Sequence, residues 1–219
     1  MVSSGGKLDA LQLRVLESLA GVEPRFVLSG GAALAGVHLG HRTTRDLDLF
    51  WRLREELDDL PGIVEQRLTN SGLSVTTLQR TPAFVRLRIA DGLQIVLLDL
   101  ISEPMDAVDS AEPHRLAGKE ILVDSARSIL AEKLCALLER SELRDLVDVE
   151  ALVSSGQNLE IAIADAPKRD RGFSPLTLAW VLRDLDVAAM ARTSGLTADA
   201  ARLESFREKL IETLVDPNR

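Results

Sequence analysis

The stretch FVLSGGAALAGVHLGHRTTRDLDLF, residues 26–50, decides the fold. Behind Pro24, Phe26-Val27-Leu28 is a short apolar run that reads as a buried strand. Ser29-Gly30-Gly31 then turns the chain into a helical segment over residues 32–39, and Gly40 fits its end. A second strand, residues 47–50, is reached through Thr43-Thr44-Arg45-Asp46. At the centre stands Asp46-Leu47-Asp48. On a strand, residues i and i+2 point the same way, so both carboxylates leave one face while Leu47 and Leu49 enter the core. Two carboxylates held that close repel each other, and burial worsens the repulsion; a divalent cation relieves both. Magnesium suits such a pair, since it takes one or two carboxylates plus phosphate oxygens. Taken alone, the triplet also fits a solvated acidic turn beside Arg45, so its surroundings must decide.

Working outward, residues 8–19 read as an amphipathic helix, with Leu8, Leu11, Leu13, Val15, Leu16 and Leu19 crowding one side. Residues 53–71 contain another, with Pro61 starting it. Three strand candidates follow at 73–80, 83–89 and 93–101, with a hairpin signal in Asp91-Gly92. The last strand carries Asp99 inside Val96-Leu97-Leu98-Asp99-Leu100-Ile101. A carboxylate in so apolar a strand needs a partner: a metal, a core arginine or a backbone amide. Residues 104–119 are turn-rich and read as a loop. Beyond Val123 the pattern is helical: 126–153 as one long helix or two abutting ones, then 175–185 and 198–215. Residues 158–172, with Lys168-Arg169-Asp170-Arg171, read as a mobile connection. The predicted organisation is α+β: an α/β core over residues 1–123, then a helical region over 124–219, with an active site in the cleft between them.

Composition narrows the function. The 219 residues carry 34 acidic and 26 basic side chains, a net charge of -8. That argues against a general nucleic-acid coat, which needs a basic field, but not against an enzyme that grips an RNA end locally. Aromatics make up 3% with no Tyr, too few for a base-stacking platform. One Cys and three His exclude a disulfide framework and disfavour a zinc cluster, so any metal here should prefer oxygen. Residues 1–7 lack an apolar core, and no run of apolar residues is long enough to span a bilayer. The expected setting is the reducing cytoplasm, without a membrane partner.

Further residues take candidate roles. Gly30 and Gly31 allow close backbone approach, and the helix start behind Ser29 offers free N–H groups to a phosphate. Lys133, Arg140 and Arg144 are seven and four residues apart, so on a continuous helix they share one edge, with Asp148 nearby. The same spacing also fits an ordinary amphipathic helix with paired charges such as Arg144 and Asp148. Arg42 and Arg45 are phosphate candidates. His38 and His41 read as capping or surface residues, Trp51 and Trp180 as core or edge residues, and Cys135 as an inert thiol.

Gly-Gly, then D-x-D, then a strand Asp about fifty residues on resembles the polymerase-β-like nucleotidyltransferase signature. A longer similarity sharpens this. Residues 26–50 resemble the first motif of the AbiEii/AbiGii-type nucleotidyltransferase toxins, which include the MenT toxins. IVLLDLI (residues 95–101) resembles their second, and ILAEKLCALLERSELRDLVDVEALV (residues 129–153) their third, with E-K-L-x-A-L and R-D-x-x-D intact. The match runs in order over roughly the first 150 residues. Thr44 departs from the serine of many relatives but keeps the hydroxyl.

The resemblance implies a Mg²⁺-dependent enzyme, with Mn²⁺ as an alternative, acting on a nucleoside triphosphate. Asp46, Asp48 and Asp99 would hold the metal, Asp99 also activating an acceptor hydroxyl. Ser29, Gly30, Gly31, Arg42 and Thr44 would bind phosphate oxygens, with Arg140 and Arg144 assisting. Lys133 would contact the triphosphate, and Asp148 would orient Lys133 or an arginine. The implied acceptor is the 3′ end of tRNA, whose extension blocks translation, and the implied partner is a cognate antitoxin. Two other readings stay open: transfer to a protein or small molecule such as an antibiotic, and a catalytically silent binding module.

Overall fold

A computed structural model describes residues 7–194 and 199–216. The chain separates into two compact units, Met1–Ser125 and Ala126–Arg219. The first is a mixed seven-stranded sheet with helices. Its elements run α1 (Ala10–Leu19), β1 (Val27–Ser29), α2 (Gly30–Ala33), a π-helical turn (Leu34–His38), β2 (Asp46–Arg52), α3 (Leu60–Asn70), β3 (Ser74–Arg80), β4 (Phe84–Asp91), β5 (Gln94–Glu103), β6 (Glu112–Leu116) and β7 (Lys119–Val123). The strand order is β3-β4-β5-β2-β1-β7-β6, with β2 parallel to β5 and antiparallel to β1.

Strand alternation fixes the two faces. Leu47, Leu49 and Trp51 of β2 are buried with Leu98 and Leu100 of β5 and Val85 and Leu87 of β4. Each such side chain contributes roughly 2 kcal/mol by leaving water. A one-residue slip of β2 would expose that set and drive Asp46 and Asp48 into the core, so the apolar pattern also fixes where the acids point. Asp9 caps α1 in a capping box with Gln12. Pro61 lies in the first turn of α3, where its missing N–H costs nothing.

The predicted loop over 104–119 is corrected: Glu112–Leu116 pairs antiparallel with Lys119–Val123. Pro113 obscured the strand, yet β6 lies at the sheet edge and pairs on one side only, where a missing donor is tolerated.

The second unit is helical: α4 (Ala126–Arg140), α5 (Leu143–Ser154), α6 (Leu159–Arg169), α7 (Pro175–Arg183), α8 (Val187–Thr193) and α9 (Ala200–Val215). Of the two readings of residues 126–153, the second holds: there are two helices, broken at Ser141, whose φ is 52°. Residues 158–172 are no mobile connection: Asn158 caps α6 by accepting from the Ile161 N–H, and Ala162, Ile163 and Ala166 are buried. Ala198, where the last helix was expected to begin, lies outside the described residues, as do residues 1–6 of the Ser/Gly-rich start. Among the described residues, no helix is long and apolar enough to cross a membrane.

Candidate active site

Sheet register assembles the acids. Ser29 of β1 lies opposite Asp48 of β2, Asp48 opposite Asp99 of β5, and Asp99 opposite Arg86 of β4. The four form one row across adjacent strands, roughly 4.8 Å per step. Asp46 stands two residues before Asp48 on the same face, in the row of Leu97 and Arg88. Ser29 is fully buried and Asp99 is 5% exposed, whereas Asp46 and Asp48 are half-buried.

The Gly-Gly turn is shaped by this row. Gly30 has φ +61°, and a Cβ there would lie 2.4 Å from Asp48 Oδ2. A Cβ on Gly31 would lie 3.0 Å from Arg42 Nη2 and 3.2 Å from Thr44 Oγ1. The glycines therefore admit the Asp48 carboxylate and the Arg42 and Thr44 side chains up to the backbone. Gln12, buried in α1, donates from Nε2 to the Thr44 carbonyl at 3.1 Å and steadies the loop before β2. Arg45 is exposed just before β2.

Asp99 has a protein partner. Arg86 donates from Nε to Oδ1 at 2.8 Å and from Nη2 to Oδ2 at 2.6 Å, a two-pronged pair. Donating that hydrogen bond to Asp99 pushes the Arg86 pKa up, with the charges of Asp46 and Asp48 adding to it. The core-arginine alternative of the sequence reading thus has its residue. Arg88, on the same face, is half-buried and engages no acid among the described residues.

The donor set of Asp46, Asp48 and Asp99 is all carboxylate oxygen, the chemistry a hard cation prefers. Among the described residues, no three His, Cys, Asp or Glu side chains converge tightly enough to form a metal cage. Magnesium does not require one, since it keeps waters and substrate oxygens in its shell.

Beside the row, Asp124 is fully buried after β7 and pairs with Arg52, which also pairs with Glu103. His38 holds the Asp124 carbonyl through Nε2 at 2.7 Å and meets the His114 ring edge-on at 6.1 Å. Burial lowers its pKa, so it stays neutral. Trp51 is buried and donates to the Pro24 carbonyl.

In the second unit, Lys133 of α4 is 6% exposed, and its Nζ lies 2.9 Å from Asp145 Oδ1 and 2.8 Å from Asp148 Oδ2. Asp145 is fully buried and also accepts from Arg140, Nε to Oδ2 and Nη2 to Oδ1, each at 2.8 Å. Burial opposes both charges, but the partners outweigh it: Lys133 is raised above its ordinary pKa, chiefly by Asp148, and Asp145 is lowered, chiefly by Arg140. The shared helix edge is corrected: Arg144 belongs to α5 beyond the break at Ser141, and its Nε pairs with Glu142 at 2.5 Å. Asp145, the residue that joins the cluster, had no assigned role in the sequence reading. Its signal was the i,i+3 spacing from Asp148 in R-D-x-x-D, which puts both carboxylates on one side of a helix. Cys135 is buried, and burial pushes its thiol up to about 12, which leaves it inert. Trp180 is 65% exposed on α7, not a core residue.

Residues 14–217 match the family model described as nucleotidyl transferase AbiEii toxin of type IV toxin–antitoxin systems. The chain belongs to the AbiEii family of nucleotidyltransferase toxins. Solved structures share the fold. MenT4, a nucleotidyltransferase toxin of Mycobacterium tuberculosis, is 17% identical, with 93% of this chain and 91% of that chain covered and a TM-score of 0.60. JHP933 of Helicobacter pylori is 21% identical, with coverage of 93% and 90% and a TM-score of 0.55. The antibiotic-resistance factor ANT(2″)-Ia is 18% identical, with coverage of 75% and 94% and a TM-score of 0.53. No curated protein sequence matches significantly. For this AbiEii chain, the acid row and the Gly-Gly turn sit in the first unit, and the Lys133 cluster in the second.

Proposed function

We propose that this AbiEii protein transfers a nucleotide from a nucleoside triphosphate to the 3′ end of tRNA, and so stops translation. The observation that carries the reading is the row Ser29–Asp48–Asp99, with Gly30 bare against the Asp48 carboxylate. Asp46, Asp48 and Asp99 would hold Mg²⁺, or Mn²⁺ in its place, which when bound supplies charge stabilisation at the α-phosphate. The Gly30 and Gly31 backbone, with Ser29, Thr44 and Arg42, binds the phosphate oxygens. The acceptor hydroxyl oxygen bonds to the α-phosphorus, its proton passes to the Asp99 carboxylate, and the α–β anhydride bond breaks to release pyrophosphate. In the second unit Asp148, with Asp145, fixes Lys133 between α4 and α5. A cognate antitoxin that silences the activity is the proposed partner, and the cytoplasm, where tRNA is charged, the proposed location.

The test is incubation with Mg²⁺, total tRNA and each α-labelled nucleoside triphosphate in turn, beside Asp46→Ala and Asp48→Ala. Label on tRNA, reduced by at least about 10³-fold in both variants, is the expected result. Label on a protein or on an added aminoglycoside, with none on RNA, would replace the tRNA acceptor with that class. No label on any acceptor would leave the silent-module reading standing.

A further inference from the structure

The acid row has a resident cation. Asp99 is buried between Leu98 and Leu100, and both its oxygens are taken by the Arg86 fork at 2.8 and 2.6 Å. The pairing is built into the sheet, because the β4–β5 register places Arg86 directly opposite Asp99. Arg86 is nevertheless held from one side: 39% of its side chain is exposed. Its guanidinium carbon also lies 5.6 Å from the Phe84 ring centroid, two residues along the same face of β4. That ring offers the charge a second resting place.

Three carboxylates on two neighbouring strands, one of them buried, strain against each other unless something positive stands among them. A divalent cation drawn to the Asp99 oxygens competes with the guanidinium there, since two positive charges at contact distance repel. We propose that Arg86 is the internal counter-ion of this row, which holds Asp99 while no divalent cation is bound and yields it when one arrives. Arg86 is thus a positioning residue: it keeps Asp99 aimed, and it sets a threshold for loading the site. The inference rests on the reading of Asp46, Asp48 and Asp99 as the metal-holding row.

The experiment uses the full chain without nucleotide, in wild type and in Arg86→Gln, Arg86→Lys, Arg88→Gln and Asp48→Asn. Mn²⁺ affinity is read by electron paramagnetic resonance, and Tm is read in EDTA and in Mn²⁺. Arg86→Gln should bind Mn²⁺ about tenfold more tightly, the lower range of ordinary coupling between sites. Its Tm should fall in EDTA and rise with Mn²⁺ by more than the wild type's. Arg86→Lys, which keeps a charge but loses the fork, should lie between them and keeps the test open if the glutamine variant fails to fold. Arg88→Gln, on the same strand and face, should match wild type. Unchanged or weaker Mn²⁺ binding in a folded Arg86 variant, with wild-type binding that Asp48→Asn abolishes, would overturn the counter-ion role and leave the metal row intact. Absence of Mn²⁺ binding in wild type and in every variant would overturn both.

Discussion

Gly30 is the residue whose identity the site dictates most narrowly. Its φ of +61° is open to glycine, and Asp48 Oδ2 already stands where a Cβ would be. Gly30→Ala should cost about 1–2 kcal/mol through the backbone alone. It should cost much more in transfer rate, because Asp48 must move. Gly31→Ala meets only the ends of the Arg42 and Thr44 side chains, at 3.0 and 3.2 Å, and should be milder in both. Tm and turnover measured on the two variants check this; a wild-type rate in Gly30→Ala would mean that the Asp48 position is not critical. The Gly-Gly signal was legible because it is local. Arg86 was not, because nothing in Phe84-Val85-Arg86 names the strand it will face.

At the scale of elements, α4 and α5 are joined by a buried charge cluster that packing alone would not require. Lys133→Met leaves Asp145 and Asp148 without their shared ammonium and should destabilise by about 3–5 kcal/mol. The pH dependence follows from the directions of the shifts. Asp145 is lowered on folding, so its contribution is present above the ordinary carboxylate range and lost as pH falls through its folded pKa. Lys133 is raised, so its contribution is full below the ordinary lysine range and lost as pH rises through its folded value. The cluster therefore stabilises between about pH 4 and about pH 10. Urea unfolding should show Asp145→Asn weaker than wild type at pH 7, with the gap closing below about pH 4. A gap that stays constant to pH 3 would remove Asp145 from the acid limb. The helices were legible from their period, but their break at Ser141 was not. Neither was α6, read as part of a mobile connection, where Asp165 and Glu132 take up the charges of Lys168 and Arg169 at 2.7 and 3.0 Å.

For the whole molecule, a net charge of -8 sets the terms on which RNA can be held. With acids in excess, the proposed RNA binding should rest on a few local cations such as Arg42 and Arg45. Acceptor RNA should then bind with a shallow salt dependence, equivalent to about two or three phosphate contacts. Filter binding across a salt series measures it, and a slope of about eight or more contacts would point to an extended basic surface instead. Family membership sets the class of chemistry, while this charge balance bears on the acceptor.

The sequence by itself determined the acid triad, the Gly-Gly turn, the α+β class and the family, because each is written in local spacing: period two on strands, a turn between strand and helix, and motifs in order. Only the tertiary structure decided the partners. Asp99 meets Arg86 through strand register, and Asp145 gathers Lys133 and Arg140 across a helix break. Residues 112–123 pair as a hairpin at the edge despite Pro113. The first two share one physical reason. A buried charge demands some partner, and local sequence states that demand, but which residue answers it depends on register and packing between segments that sequence spacing does not encode.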